Sequence, residues 1–167
     1  MKAFRCAVTA VAGAVLCSCE AGIPLPARAA QVEQRQCEGA PAREEDPRSI
    51  QRMTVLKAES KCHVDYCNGV AQVFGVKLLV RPAEPTSAAE LERLLRCHGA
   101  RATLGEIDLS RDPSDPYWLP DSWVDIDVRE ADGNFLVTLT GQSVTDNIHI
   151  LHRATAFASH RASRGTQ

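Results

Sequence analysis

Three cysteines and two histidines form the group of side chains best suited to chemistry. Two Cys-His pairs, Cys62-His63 and Cys97-His98, are accompanied by Cys67. Thiolates and imidazoles suit zinc and copper, and thiol pairs can exchange with disulfides. The spacing matches neither a paired C-x-x-C metal motif nor the C-x-x-C-H sequence that attaches haem. The leading interpretation is therefore that the cysteines form disulfides. The alternative is a metal-binding or thiol-redox protein that uses these five residues. We expect no cofactor.

The cysteines that follow residue 19 are Cys37, Cys62, Cys67 and Cys97. In an oxidising compartment four cysteines are most simply two disulfides, for which three pairings exist. If the segment from Cys62 to Cys67 is extended, five steps of about 3.3 Å hold the two Cα atoms roughly 16 Å apart, and one of them then pairs with Cys97. A tight loop would allow local pairing instead. Each bridge is expected to add about 2–4 kcal/mol of stability.

Other polar pairs are better explained as surface or capping residues. His149 and His152 stand three apart but lack the glutamate of an H-E-x-x-H zinc site. Asp125 and Asp127 share the outward face of a predicted strand, where solvation explains them. Ser143 lies in a segment without the closing glycine of a nucleophile elbow and precedes a helix as a cap would. We therefore predict no catalytic residue and no metal site.

Tyr117, Trp118 and Trp123 are the main aromatic concentration in a chain that is 5% aromatic. They lie in or beside a loop that contains three prolines. If the three rings were exposed together, they would offer a contact surface for a ligand or partner. The favoured alternative is that they fold back and cover one end of the sheet.

The first residues have the pattern of an export signal. Lys2 and Arg5 precede an uncharged run over residues 7–16, and no acid occurs before Glu20. This run is too short to cross a bilayer, which takes about 20 residues. Residues 1–18 are therefore predicted to be a signal peptide.

Two sites for cleavage of that peptide compete. Leu16-Cys17-Ser18-Cys19 resembles the signal of bacterial lipoproteins, although Cys17 at the second position before cleavage is unusual. The resemblance implies lipidation of Cys19 and attachment to a membrane of the bacterial envelope. Ala27-Arg28-Ala29 is the alternative, a small-x-small site for free secretion. We favour lipidation.

The charge of the chain argues against nucleic-acid binding. Removing Lys2 and Arg5 from 19 basic residues leaves 17 against 21 acidic residues, a net charge of −4. No basic stripe forms, because the arginines are interleaved with acids. We expect as partner an envelope protein or surface component, in addition to the membrane through the anchor.

Composition and periodicity predict one domain. Residues 19–48 lack apolar periodicity and are expected to form a flexible tether, residues 49–160 the folded domain and residues 161–167 a disordered tail. A strand hairpin is predicted around Asn68-Gly69, with Phe74 and the alternate residues up to Val80 on one face.

The second half of the domain adds helices and another hairpin. A capping box at residues 87–90 begins a helix that ends at Gly99, and a short strand is expected over residues 101–109. Residues 124–139 form a half-buried hairpin, and Ser143 or Thr145 caps a last helix that reaches about His160. The fold class is therefore α+β, a small antiparallel sheet with two helices packed on one face and stabilised by disulfides.

Residues 125–158 resemble the second half of a BON domain. The similarity rests on Ile126-Asp127-Val128, Asp132-Gly133, Leu139-Thr140-Gly141 and the alanine-containing helix that follows. BON domains are small α+β envelope modules implicated in attachment to lipid or proteins, so the resemblance implies a membrane-surface binding module. The main expectation is an exported, lipid-anchored protein with a binding or structural role.

Overall fold

An antiparallel sheet of four strands forms the centre of the fold, in a computed structural model that describes residues 23–37, 46–65, 70–109 and 112–164. In chain order its strands are β1 (Thr54–Asp65), β2 (Val70–Arg81), β3 (Asp125–Ala131) and β4 (Asn134–Thr140). The spatial order is β1-β2-β4-β3, so the hairpins β1–β2 and β3–β4 join along β2 and β4.

Four helices accompany the sheet in the part of the chain that the structure describes. They are α1 (Leu25–Gln36), α2 (Asp46–Arg52), α3 (Ala88–Thr103) and α4 (Val144–Arg164). Helix α4 lies against β1 and β2, α3 lies against β3, and α1 packs on α3. The predicted α+β class is confirmed, with α1 and α2 as additional helices.

The core lies between one face of the sheet and helices α3 and α4. Alternate strand residues point into it, as expected for a sheet with one buried face. The helices contribute residues three or four apart, which share a helical face. The main buried residues are Val76, Leu78, Val80, Leu91, Leu95, Ile126, Val137, Leu139, Ile150, Ala154 and Phe157.

Phe74 departs from the predicted alternation of β2, since its side chain is 43% exposed. The pairing of β1 with β2 shifts register here, because Lys61 pairs with Gly75 and Cys62 with Val73. A bulge of this kind turns the extra residue out of phase. Gly75 adopts a φ of +151°, and a Cβ there would lie 2.5 Å from the carbonyl oxygen of Leu139.

The start of α3 is as predicted, and its end is not. Ser87 and Glu90 form the capping box, with the Ser87 amide donating to the Glu90 carboxylate over 2.8 Å. The helix continues through Gly99 to Thr103, and residues 104–109 contain no strand, so the predicted strand over residues 101–109 is wrong. Gly99 serves packing, because a Cβ would lie 3.0 Å from the carbonyl oxygen of Tyr117.

Both ends of the predicted domain extend further than expected. Helix α1 occupies residues 25–36, so the prediction of a flexible tether over 19–48 is wrong for this segment. Helix α4 continues to Arg164, into the predicted tail, and Ser143 caps it by accepting the Asp146 amide over 3.1 Å. The signal peptide, Cys19 and residues 165–167 lie outside the described residues.

Candidate functional site

A disulfide fixes the end of α1 to α3. Cys37 and Cys97 are bonded, with their Cα atoms 5.6 Å apart, and both are buried. The pairing of Cys97 with Cys62 or Cys67, which was expected if the segment between those two cysteines is extended, is therefore wrong. Cys62 lies exposed on β1, at the opposite edge of the sheet from β3, against which α3 packs. Cys67 lies outside the described residues.

The five residues of the metal or redox alternative are not brought together where the structure describes them. The sulfur of Cys97 is oxidised, and the thiol of Cys62 donates to the Ser60 hydroxyl over 3.1 Å. Among the described residues, Glu33, Cys37 and Cys97 bring possible metal-ligand atoms close together. The sulfurs of the two cysteines, however, are bonded to each other. A disulfide offers no thiolate, so this group does not form a zinc site.

His98 belongs to a buried structural pair. Its Nε2 lies 2.7 Å from Asp115 Oδ2, and both side chains are almost fully buried. Asp115 also accepts the Tyr117 amide over 2.8 Å, and Arg153 donates to the Asp115 carbonyl over 3.2 Å. These bonds hold the proline-containing loop against α3 and α4.

The three aromatic side chains do not form one exposed surface. Tyr117 is buried in the core, its ring edge-on to Phe157 with centroids 5.9 Å apart. Trp118 is half-buried beneath the guanidinium of Arg153. Trp123 is buried beside α1. The cavity that the three residues share has a volume of about 10 Å³, room for about one water molecule.

Helix α1 is bound to α3 and β3 by more than the disulfide. Ala29 is fully buried and packs with Ala100 and Trp123. Arg28 reaches Asp125 over 2.6 Å, and its guanidinium lies 4.8 Å from the centre of the Trp123 ring. The Trp123 indole also donates to Asp125 over 3.1 Å. Asp125, predicted to be merely solvated, thus joins α1 to β3.

A groove of about 470 Å³ runs between α1 and the start of β3. Its polar lining includes Arg28 and Arg35 from α1, Arg96 from α3 and Asp125 from β3. A second depression of about 460 Å³ adjoins it over α3 and shares Arg35, Gln36 and Arg96 with it. We call the two depressions together the arginine groove.

The edge of β3 beside the groove is closed by side chains of α3. Arg96 donates to the Ile126 carbonyl over 2.9 Å, and the Val128 amide donates to Glu92 over 3.0 Å. Arg96 and Glu92 are also paired with each other over 2.8 Å. These contacts satisfy backbone groups that an edge strand would otherwise present to another chain.

Two arginines of the groove differ from the others in their bonding within the described part of the chain. Arg35 and Arg93 form no hydrogen bond or close ion pair with the described residues. Four arginines in all line the groove, against the two acids Glu92 and Asp125. A guanidinium presents donors in a planar fork that matches a carboxylate or phosphate. The arrangement can therefore bind an anionic group.

Sequence reasoning missed the groove because it treated α1 as a tether. The signal that could have revealed the helix is the spacing of Leu25, Ala29 and Val32 at i, i+4 and i+7, with proline at the start of the helix.

His149 and His152 are exposed on α4, and Asp127 pairs with Arg129 on the open face of the sheet.

Comparison of the chain with protein-family models, with curated proteins and with solved structures finds no match. No helix in the described part of the chain is both long and apolar enough to span a bilayer.

Proposed function

We propose that this chain is an exported, non-catalytic binding domain, held at a membrane of the bacterial envelope by lipid on Cys19. The observation that carries the proposal is the position of α1. Its first residue, Leu25, lies six residues after Cys19. Six extended residues span about 20 Å at most, so the anchor would hold the arginine groove close to the bilayer surface.

The packing of α1 favours cleavage before Cys19 over the alternative site. Cleavage after Ala29 would remove the first residues of α1, including Arg28, which binds Asp125 and covers Trp123. It would also remove Ala29, which is fully buried. Cleavage at Cys19 leaves all of these contacts in the mature protein.

The buried disulfide supports export. Disulfides persist in oxidising compartments and are rare in the cytosol. Cys37 and Cys97 are both buried where α1 ends on α3. The oxidised pair therefore fits a protein that folds outside the cytosol.

The composition of the groove supports binding rather than catalysis. Its lining consists of arginine, glutamine, acidic and apolar side chains with one tryptophan and one alanine, and it includes no hydroxyl, thiol or imidazole among the described residues. Such a lining supplies charge and hydrogen bonds, and its two carboxylates already have partners. Glu92 is bonded to Arg96 and to the Val128 amide, and Asp125 to Arg28 and to the Trp123 indole.

Mass spectrometry of the mature protein from a bacterial host tests the anchor. We expect an N-terminal Cys19 that carries acyl mass and a protein in the membrane fraction. The Cys19→Ser variant should lack the acyl mass, whereas Cys17→Ser, a matched change two residues earlier, should retain it. An unmodified N-terminus at Ala30 would contradict the proposal.

A further inference from the structure

The geometry points to a ligand class for the arginine groove: an extended peptide that carries spaced carboxylates. This inference rests on the proposed binding role and specifies its partner as an acidic segment of another protein. Arg35 lines both depressions and Arg93 lines the second, so two guanidinium groups without a bonded partner among the described residues occur along one path.

The two committed arginines shape the same path. Arg28 is held by Asp125 and Trp123, and Arg96 is held by the Ile126 carbonyl and Glu92. Because each of them already has an acceptor within the protein, they orient the walls of the groove. Arg35 and Arg93 are left to bind the ligand through charge-assisted hydrogen bonds, which are the stronger kind.

The shape of the groove requires a ligand longer than a single ion. Each depression, at about 470 and 460 Å³, falls in the size range of small-molecule sites. The two meet at Arg35, Gln36 and Arg96, so a ligand filling both must be elongated. Alternate side chains of an extended peptide point to the same side, which would direct spaced carboxylates towards the arginines.

The other polar groups favour a peptide over an anionic lipid surface. Glu92 and Asp125 lie among the arginines and would repel a dense array of phosphates. The side-chain amides of Gln31, Gln36 and Gln142 can donate to and accept from peptide groups.

The ligand would be recognised by side chains rather than by addition of a strand to the sheet. The outward backbone groups of Ile126 and Val128 on β3 are already bonded to Arg96 and Glu92. A peptide that joined β3 would have to break both bonds and the ion pair between these two side chains. Binding should therefore depend on the carboxylates of the peptide.

Fluorescence polarisation of a labelled probe tests the inference. The probe is a fluorescein-labelled peptide of alternating glutamate and serine, and the matched peptide has glutamine in place of glutamate. The protein is the mature chain, purified in neutral detergent. We expect the acidic probe to bind at least about tenfold more tightly than its glutamine counterpart, as expected when charge-assisted bonds are lost.

A pair of double variants locates the binding. Arg35→Gln with Arg93→Gln should weaken the affinity for the acidic probe about tenfold or more. Arg52→Gln with Arg129→Gln removes the same charge from exposed side chains outside the groove and should change the affinity less than twofold. In a Trp118→Phe background, the remaining emission of Trp123, which lines the groove, should shift when the probe binds.

Each outcome decides the inference. Equal binding of the two peptides, or equal weakening by the two double variants, would overturn it. A third outcome would assign the groove to lipid instead. In it, the Cys19→Ser chain does not bind the peptide but cosediments with phosphatidylglycerol vesicles and not with phosphatidylcholine vesicles. Substitution of Arg35 and Arg93 would abolish this cosedimentation. Because the peptide assay does not need the anchor, its failure with a chain acylated on Cys19 would leave the proposed anchoring intact. If the mature protein binds the peptide but carries no acyl group on Cys19, only the proposed anchoring would be contradicted.

Discussion

Glu33 and Arg101 form an ion pair, with 3.2 Å between the carboxylate and Nε, one helical turn from the disulfide on both helices. Glu33 precedes Cys37 by one turn of α1, and Arg101 follows Cys97 by one turn of α3. The two helices therefore run antiparallel where they are fastened. Any movement of α1 would have to break this partly buried ion pair as well as the contacts of Ala29.

Loss of the disulfide should destabilise the protein without unfolding the sheet. In the double variant Cys37→Ser with Cys97→Ser, we expect the free energy of unfolding to fall by about 2–4 kcal/mol, because the bridge closes a long loop in the unfolded chain. The sequence separation of the two cysteines is 60 residues. Urea unfolding measures the loss.

The same variant should expose α1 to protease. Trypsin is expected to cut at Arg28 or Arg35 faster than in the native protein, because α1 then opens locally more often. Cys62→Ser is the control, since this thiol is exposed on β1 and should leave both measurements unchanged. Unaltered stability of the double variant would show that the bridge does not hold α1.

Two neighbouring alanines of α1 provide a matched test of its packing. Ala29 is fully buried against Trp123 and Ala100, whereas Ala30 is exposed on the same helix. Ala29→Leu should lower the free energy of unfolding by about 1–3 kcal/mol, because extra methylenes do not fit a filled site. Ala30→Leu should change it by less than about 0.5 kcal/mol. Equal effects in thermal or urea unfolding would mean that α1 is not packed as described.

The parts of the fold that were predictable from sequence are those set by local patterns. The β3–β4 hairpin follows from strict alternation, and the start of α3 follows from Ser87 and Glu90. Helix α1 was not predictable in this way, because its apolar stripe is short and packs with Ala100 and Trp123, which lie far along the chain. Tertiary packing commonly overrides weak local propensity in such segments.

The candidate site was less predictable than the fold. Its residues come from α1, α3 and β3, which no spacing in the sequence connects. The pairing of Cys97 with Cys37 likewise depends on which face of α3 receives α1, a fact of tertiary structure. Of the three aromatic residues, Tyr117 and Trp123 are buried and Trp118 is half-buried, and of the three only Trp123 lines the arginine groove.

Substitution of Gly75 should disrupt the junction of the two hairpins. A Cβ at this position would lie 2.5 Å from the Leu139 carbonyl oxygen, and the φ of +151° is one that residues with a side chain rarely adopt. Gly75→Ala should therefore lower the free energy of unfolding by about 2 kcal/mol or more. Gly133→Ala, at a φ of +73° in the β3–β4 turn with open space around it, is the control for backbone strain without a clash and should cost about 1 kcal/mol. A smaller loss for Gly75 than for Gly133 in urea unfolding would contradict the close approach.

The capping box of α3 should make stability depend on the charge of Glu90. The Ser87 amide, followed by the Ser87 and Thr86 hydroxyls, donates to the Glu90 carboxylate and lowers its pKa. A carboxyl with a lowered pKa stabilises the folded state above its unfolded pKa of about 4.3, and this contribution is lost as the pH falls through the folded value. Between about pH 5 and pH 3, the native protein should therefore lose more stability than Glu90→Gln, whose amide does not titrate. Urea unfolding at a series of pH values measures the difference, with Glu84→Gln, a highly exposed carboxylate paired with Arg52, as the control. Parallel pH profiles for the native protein and Glu90→Gln would show that the capping carboxylate carries no such dependence.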